Sequence, residues 1–372
     1  MNRKTTIFAL YLPQYYETDY NNLWWGKGYT EWTACRNAKP LFAGHNQPRQ
    51  PLNDNYYTLN NVDNIRWQIC LAKKYGIDGF AIYHYYSKGN KLLEVPTELI
   101  RDTPSLDIPF FLYWVNSPWK KSWFGQDNSI VWEQQFGSVH DWKQHFEYCY
   151  TFFRDKRYLQ IDGKPVFAIY DAWRFSNIIE MMDLWNEWAL EKGLKGIYFV
   201  KTLNRHEPNS RGPFSAVVTR EPNYYFAKDE YIYERYFRKA KEIIINFINN
   251  HILYSRGSGM ITLKYSYDKI WKRILKRTVK DQNTILGAFT DWDNSPRRGY
   301  NSIVMEGASP LKFNKYFRRL INKAKNTNTN MIILNAWNEW AEGAYLEPDT
   351  NNQFAYLEAI KSAKDACFCD SK

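Results

Sequence analysis

Short runs of β-branched and aromatic residues alternate along this chain with longer stretches whose apolar positions recur every three or four residues. Eight runs read as strands, at residues 7–12, 79–85, 110–115, 166–170, 197–201, 216–220, 285–289 and 331–336. Most are nearly continuous in apolar residues, the pattern of strands buried on both faces. Helix signals fill the intervals. Ser309 stands as an N-cap before Pro310, and Phe313, Phe317, Leu320 and Ile321 then share one face. Helices over 61–75 and 178–192 each run up to a glycine, Gly76 and Gly193, placed to cap the C-terminus. Strands alternating with crossover helices predict an α/β fold closed as a (β/α)8 barrel. Two connections are long. Residues 13–60 follow the first strand, and residues 223–280 separate the sixth from the seventh and are predicted to carry extra helices. With no internal repeat and no low-complexity tract, residues 1–372 read as one catalytic domain.

A barrel of this kind carries its chemistry where the strands end, so the polar residues just after each run are the candidates. They are Tyr11 and Gln14 at the first strand, with Trp32 in the long loop after it; Tyr83, His84 and Tyr85 at the second; Trp114 and Asn116 at the third; and Asp171 at the fourth. The seventh gives Trp292, Asp293, Asn294 and Arg297, and the eighth gives Asn338, Glu339, Trp340 and Glu342. The strongest local signal is Asn335-Ala-Trp-Asn-Glu-Trp-Ala-Glu-Gly343. Cleavage of a glycosidic bond needs one carboxyl that stays protonated and one that is ionised. Two glutamates three residues apart on a helical turn are close enough for one to raise the pKa of the other. The bland reading of either glutamate is a helix cap or a partner for Arg297. His84 is expected to donate to a sugar hydroxyl, with a satisfied core histidine as the alternative, and Glu347 reads as a loop or rim residue. Asp291-Trp-Asp293 spells a D-x-D metal motif, but its place beside Asn294 and Arg297 points to hydroxyl contacts or to orienting the glutamates.

Composition changes this picture in three places. Aromatic residues make up 18% of the chain, with 16 Trp and 29 Tyr, so some are expected to line a site where flat rings meet sugar faces. The formal net charge is +11, and the densest basic stretch holds Lys264, Lys269, Lys272, Arg273, Lys276, Arg277 and Lys280. Its apolar residues Tyr267, Ile270, Trp271 and Ile274 share a face. That face either lies on anionic lipid, a peripheral contact through 264–280, or packs on the barrel with the basic side in solvent. Five scattered cysteines and the absence of a leader or membrane span predict reduced thiols and a cytoplasmic location, with the inner face of the plasma membrane as its nearest surface. Nucleotide-binding glycine loops, zinc motifs and nucleophile elbows are missing from the sequence, so neither metal nor cofactor is predicted.

Several motifs together resemble the WbsX-type proteins of bacterial surface polysaccharide loci, a group similar to the family 99 glycoside hydrolases, the endo-acting α-mannosidases. They are Tyr11-Leu-Pro-Gln14, Trp24-Trp-Gly-Lys-Gly-Tyr-Thr-Glu-Trp32, Gly44-His-Asn-Gln-Pro-Arg49, Tyr75-Gly-Ile-Asp-Gly-Phe80, Asp162-Gly-Lys-Pro165, Asp291-Trp-Asp-Asn294 and the segment from Asn335 to Pro348. The resemblance implies a (β/α)8 barrel. It also implies that Glu339 deprotonates a sugar 2-hydroxyl to form a 1,2-anhydro sugar, while Glu342 serves as general acid and then base. One departure stands out: Trp114-Val-Asn-Ser-Pro-Trp119 has Ser117 where many relatives carry an acidic residue. The resulting expectation is an enzyme acting on glycosidic bonds of an O-antigen or capsule polysaccharide, whose substrate is a polysaccharide or oligosaccharide, free or lipid-linked. A glycosyltransferase of lipopolysaccharide assembly and a non-catalytic glycan-binding protein are the alternatives; a nucleic-acid partner is not expected, since the glutamates repel phosphates.

Overall fold

A computed structural model describes residues 4–120, 129–249 and 261–369. Eight parallel strands form the barrel: β1 (Thr6–Tyr11), β2 (Gly79–Ser87), β3 (Phe110–Trp114), β4 (Lys164–Ile169), β5 (Tyr198–Thr202), β6 (Ala216–Val218), β7 (Thr284–Phe289) and β8 (Met331–Asn335). Each pairs in parallel with the next, and β8 returns to β1, with Phe8 opposite both Gly79 and Ile333, so the sheet closes. All eight predicted runs are strands of this barrel. Their side chains are buried almost without exception, as strands between a filled interior and a ring of helices must be.

The outer ring contains α1 (Val62–Lys74), α2 (Val95–Asp102), α3 (Val139–Phe153), α4 (Ile178–Glu191), α5 (Ile232–Ile248), α6 (Tyr267–Lys276), α7 (Pro310–Ala324) and α8 (Ala355–Cys369). The predicted N-cap is in place, Ser309 accepting from the Lys312 amide, and Asn61 caps α1 by accepting from the Asp63 amide. Gly76 and Gly193 have φ of 87° and 81°, the left-handed region that favours glycine. Between β5 and β6 the described chain has no helix, so residues 203–215 cross as a loop. The 223–280 connection carries α5 and α6, as its length predicts; its residues 250–260 lie outside the described residues.

The lipid-facing reading of the basic stretch is corrected here. Tyr267, Ile270, Trp271 and Ile274 are 0–2% exposed, and Trp271 stacks between Phe289 of β7 and Tyr316 of α7. α6 therefore buries its apolar face on the barrel and turns its lysines to solvent. Lys264 precedes the helix, in a short strand, Leu263–Ser266, paired with Ile303–Glu306. Cys35, Cys70, Cys149 and Cys367 are free thiols, and the Cys369 side chain lies outside the described residues. Among the described residues no helix is long and apolar enough to cross a membrane.

Gly287 of β7 marks the tightest approach in the barrel wall. A Cβ there would lie 1.6 Å from the Thr219 carbonyl oxygen, while the Gly287 amide donates to Thr219 Oγ1 at 3.0 Å. Backbone cannot retreat from a closed sheet as a side-chain tip can. Gly287→Ala is expected to cost on the order of 3 kcal/mol. A urea melt whose midpoint matches wild type would refute this account of the seventh strand.

Candidate active site

Side chains alternate across a strand, and this decides which polar residues reach the mouth. On β2, Tyr83 and Tyr85 face a cavity of about 370 Å³ at the C-terminal end of the barrel, whereas His84 faces the helix layer. Gln14, Trp292, Asn294, Arg297, Glu339 and Glu342 line the same cavity. So do Ser117, noted in the sequence as a departure, and residues not expected as contacts: Arg220, just past β6, Asn223, Tyr170 and Trp119.

Arg297 organises the floor. Its Nη1 donates to Glu342 Oε1 at 2.9 Å, and its Nη2 donates to Glu31 Oε1 at 2.7 Å and lies 3.4 Å from Glu339 Oε2. Glu31 begins a short helix, Glu31–Asn37, in the long first loop, and its Oε1 also accepts from the Ala341 amide at 3.1 Å. Sequence reading quoted Glu31 inside a motif without selecting it. It is the counter-charge that ties the first loop to the glutamate turn. That turn is sharp: Gly343 has φ of 63°, and a Cβ there would sit 2.9 Å from the Asp293 amide, which donates to the Glu342 carbonyl at 2.7 Å.

The two glutamates are electrically unlike. Burial, and then the neighbouring Glu342 carboxylate, push Glu339 up to about 8 in spite of Arg297. At neutral pH the proton of the pair therefore rests on Glu339, while Glu342 holds the ion pair with Arg297. Arg220 is buried in the wall, and its Nη2 donates to the Tyr83 hydroxyl at 3.0 Å. Arg220 Nε and Glu342 Oε2 have no hydrogen-bond partner among the described residues. Together with the amides of Gln14, Asn223 and Asn294 and the rings of Trp119 and Trp292, they form a wall suited to a polyhydroxylated ligand with apolar faces.

Nine of the expected contact residues lie outside the lining of this cavity, each for a visible reason. Tyr11 donates to Gln68, and Trp32 donates through Nε1 to the Tyr57 carbonyl, both in packed layers behind the mouth. Asn338 clamps Leu12 through both its amide atoms, at 2.8 and 2.9 Å, and so joins the ends of β1 and β8. Trp340 stacks on Tyr345 and donates to Glu347. Asn116 makes the equivalent clamp on the Asp171 backbone. Asp171 itself accepts from Ser117, Arg174 and Asn204. Ser117 thus donates to a carboxylate, at a place where an acidic side chain would meet like charge.

Asp293 is 1% exposed and faces away from the glutamates. Burial alone would raise its pKa, but hydrogen bonds from His45, Gln47 and Ser295 and the charge of Arg49 bring it down to about 2. Arg49 also pairs with Asp291 at 2.8 Å, so both carboxylates of the D-x-D motif are engaged by protein groups. Glu347 is corrected from the rim to the interior, where it accepts from Tyr57, Gln68 and Trp340, each at 2.7 Å.

His84 is likewise a core residue, packed with Trp114 around His145. Its Nε2 is 2.8 Å from His145 Nε2 and 3.9 Å from Cys149 Sγ. These three are the one group among the described residues close enough to share an ion. Burial lowers both imidazoles, His84 to about 3, and the N–N distance is that of a hydrogen bond. The surrounding rings offer no carboxylate to balance a cation, so the group is read as a neutral pair in the core.

The family model described as Glycosyltransferase WbsX matches residues 7–360. The chain belongs to this family. Two curated relatives, both named Uncharacterized protein WxcX, come from strains of Xanthomonas campestris pv. campestris; each is 30% identical over 363 residues. That match covers 96% of this chain but 49% of either relative, so the chain spans about half their length. Among solved structures, a glycoside hydrolase-like protein aligns with a TM-score of 0.57 at 16% identity, covering 97% of this chain and 94% of its own. The family 99 endo-alpha-mannosidase from Bacteroides thetaiotaomicron aligns with a TM-score of 0.54 at 12% identity, covering 100% and 99%. These likenesses share the barrel.

The raised Glu339 has a consequence for stability that needs no substrate. Its folded pKa lies above the ordinary carboxylate value, so the folded state binds more protons between about pH 4.5 and 8. The contribution is thus lost as pH rises through that window. In this WbsX-family chain Glu339→Gln is expected to raise the melting temperature above pH 8 by a few degrees and to leave it near wild type at pH 5. An equal effect at both pH values would show that Glu339 is not the protonated member of the pair.

Proposed function

We propose that this WbsX-family chain acts on glycosidic bonds of a bacterial surface polysaccharide, with Glu339 and Glu342 as its proton-handling pair and no cofactor. The observation that supports this best is the pair itself: two carboxyls of unlike charge in one aromatic-walled cavity at the mouth of the barrel. Breaking a glycosidic bond needs a proton for the leaving oxygen and a base or nucleophile at the sugar. A singly protonated pair supplies both. In the roles implied by resemblance, Glu339 takes the 2-hydroxyl proton as O2 attacks C1, and Glu342 protonates the departing oxygen. The resting proton then passes from Glu339 to Glu342 as the sugar enters. Glu342 next draws a proton from the water that attacks C1, and Glu339 returns its proton to O2 as the 1,2-anhydro ring opens.

Either division of labour requires one proton on the pair. kcat/KM is therefore expected to fall as pH rises through about 8, where that proton leaves. A profile level to pH 9.5 would contradict it. Glu342→Gln should lower turnover by about a hundredfold or more with natural leaving groups. Retention of wild-type turnover by this variant would remove Glu342 from the mechanism.

The family's description as a glycosyltransferase favours a second reading, transfer of sugar from an activated donor, for which a lipid-linked glycan at the inner face of the plasma membrane is our proposed acceptor. Mass spectrometry of the source organism's surface polysaccharide and lipid-linked precursor separates the two. Wild type and the Glu339→Gln and Glu342→Gln variants are compared, with and without nucleotide sugars. Shortened glycans made by wild type alone, without donor, support cleavage; extension that depends on donor moves the assignment to a transferase. No change in either glycan would remove surface polysaccharide as the substrate.

A further inference from the structure

α5 is oriented the wrong way round for a helix on a globular protein. Its apolar stripe faces solvent and its polar side faces the barrel. Ile232, Tyr233, Tyr236, Phe237, Ile243 and Ile244 are 57–69% exposed. At about 100° per residue these positions fall within an arc of about 140°. The opposite side is pinned to the domain by charge. Arg238 is bound by Glu230 and Glu242, Glu234 pairs with Lys269 of α6 at 2.8 Å, and Arg235 donates to the Ala227 carbonyl. Exposed apolar area this contiguous marks a contact surface rather than chance.

We infer that α5 is a docking surface for an anionic lipid bilayer. Charge selects this occupant. Lys239 and Lys241 sit at the two edges of the apolar stripe, about 20° and 40° beyond its outermost members, where an interfacial helix places its cations. The acidic residues of α5 are drawn inward onto Arg238 and Lys269. The neighbouring α6 adds exposed Lys272 and Lys276, and the chain as a whole carries +11. A second copy meeting this stripe about a two-fold axis would bring these lysine edges together, whereas phosphate headgroups neutralise them.

The location gives the contact a use. The insertion leaves the barrel at Arg220 and Asn223, which line the cavity, and reaches α5 nine residues after Asn223. A bilayer against α5 is thus joined to the cavity's sixth-strand wall by a short stretch of chain. The inference concerns surface attachment and stands whether the cavity cleaves or transfers.

The test is co-sedimentation of the 372-residue chain with vesicles. Wild type is expected to pellet with phosphatidylcholine vesicles containing phosphatidylglycerol and to stay in solution with phosphatidylcholine alone, and added salt should weaken its binding. Ile243→Glu/Ile244→Glu and Lys239→Glu/Lys241→Glu should each reduce partitioning by about tenfold or more, while keeping the wild-type circular dichroism spectrum and melting temperature. The Lys variant changes only solvent-facing charges and so reports on the surface even where the apolar variant folds poorly. Wild type remaining in solution with anionic vesicles overturns the inference, as does binding that both variants retain. A dimer in solution that Ile243→Glu/Ile244→Glu dissolves, without vesicle binding, overturns it in favour of a second copy.

Discussion

Three carboxylates converge on the guanidinium of Arg297, and they come from parts of the chain some three hundred residues apart: Glu31 from the first loop, Glu339 and Glu342 from the turn after the last strand. Removing one partner from a buried cluster of this kind leaves charge without compensation, which is why the rest of the mouth must be built around it. Glu31 also holds the Ala341 amide, and the Asp293 amide holds the Glu342 carbonyl. The first loop, the seventh strand's end and the glutamate turn are thereby one unit. Arg297 and the nearby Arg220 supply two positive charges against three acids, so the cluster balances when one proton remains, and burial and the Glu342 carboxylate favour that proton on Glu339. The acid–base asymmetry is a by-product of how the mouth is held together.

The barrel was legible because its strands are buried on both faces, and such strands write continuous apolar runs that need no phase. The same property hid the site. All nine residues of β2 are buried, so nothing in the hydrophobic pattern distinguishes inward Tyr83 and Tyr85 from outward His84. A rule of reading polar residues after each strand therefore gathered cavity groups such as Gln14 and Asn294 together with clamps such as Asn338 and Asn116, whose amides satisfy neighbouring backbone. Arg220 was missed for the converse reason, since it was counted as the last residue of its strand. Glu347 needed partners from Tyr57, Gln68 and Trp340 to become a buried acid, and those contacts are purely tertiary.

The aromatic excess has mostly a structural use. Around His145 the rings of Tyr86, Trp114, Phe167 and Trp185 meet at centroid distances of 3.9–5.9 Å and fill the layer between β2, β3, β4 and α3. Edge-to-face and stacked contacts of this kind add to the area they bury. The cavity draws on a small subset, chiefly Tyr83, Tyr85, Trp119, Tyr170 and Trp292. Composition therefore indicated that some rings line a cavity but could not say which ones.

The two helices of the insertion show what amphipathicity leaves undecided. α6 and α5 both segregate apolar from charged residues, and sequence alone suggested α6 for a lipid surface. Direction is set by what else each helix can satisfy. α6 has Trp271 to slot between Phe289 and Tyr316, so its apolar face goes inward. α5 instead places Arg238 over Glu230 and Glu242, and Glu234 beside Lys269; reversing it would strand those acids and Arg238 without partners and meet the α6 charges with apolar side chains. Turning outward satisfies the ion pairs at the cost of exposed isoleucine and tyrosine. An exposed stripe held outward by these ion pairs is open to an apolar partner, and lysines at its edges favour an anionic one.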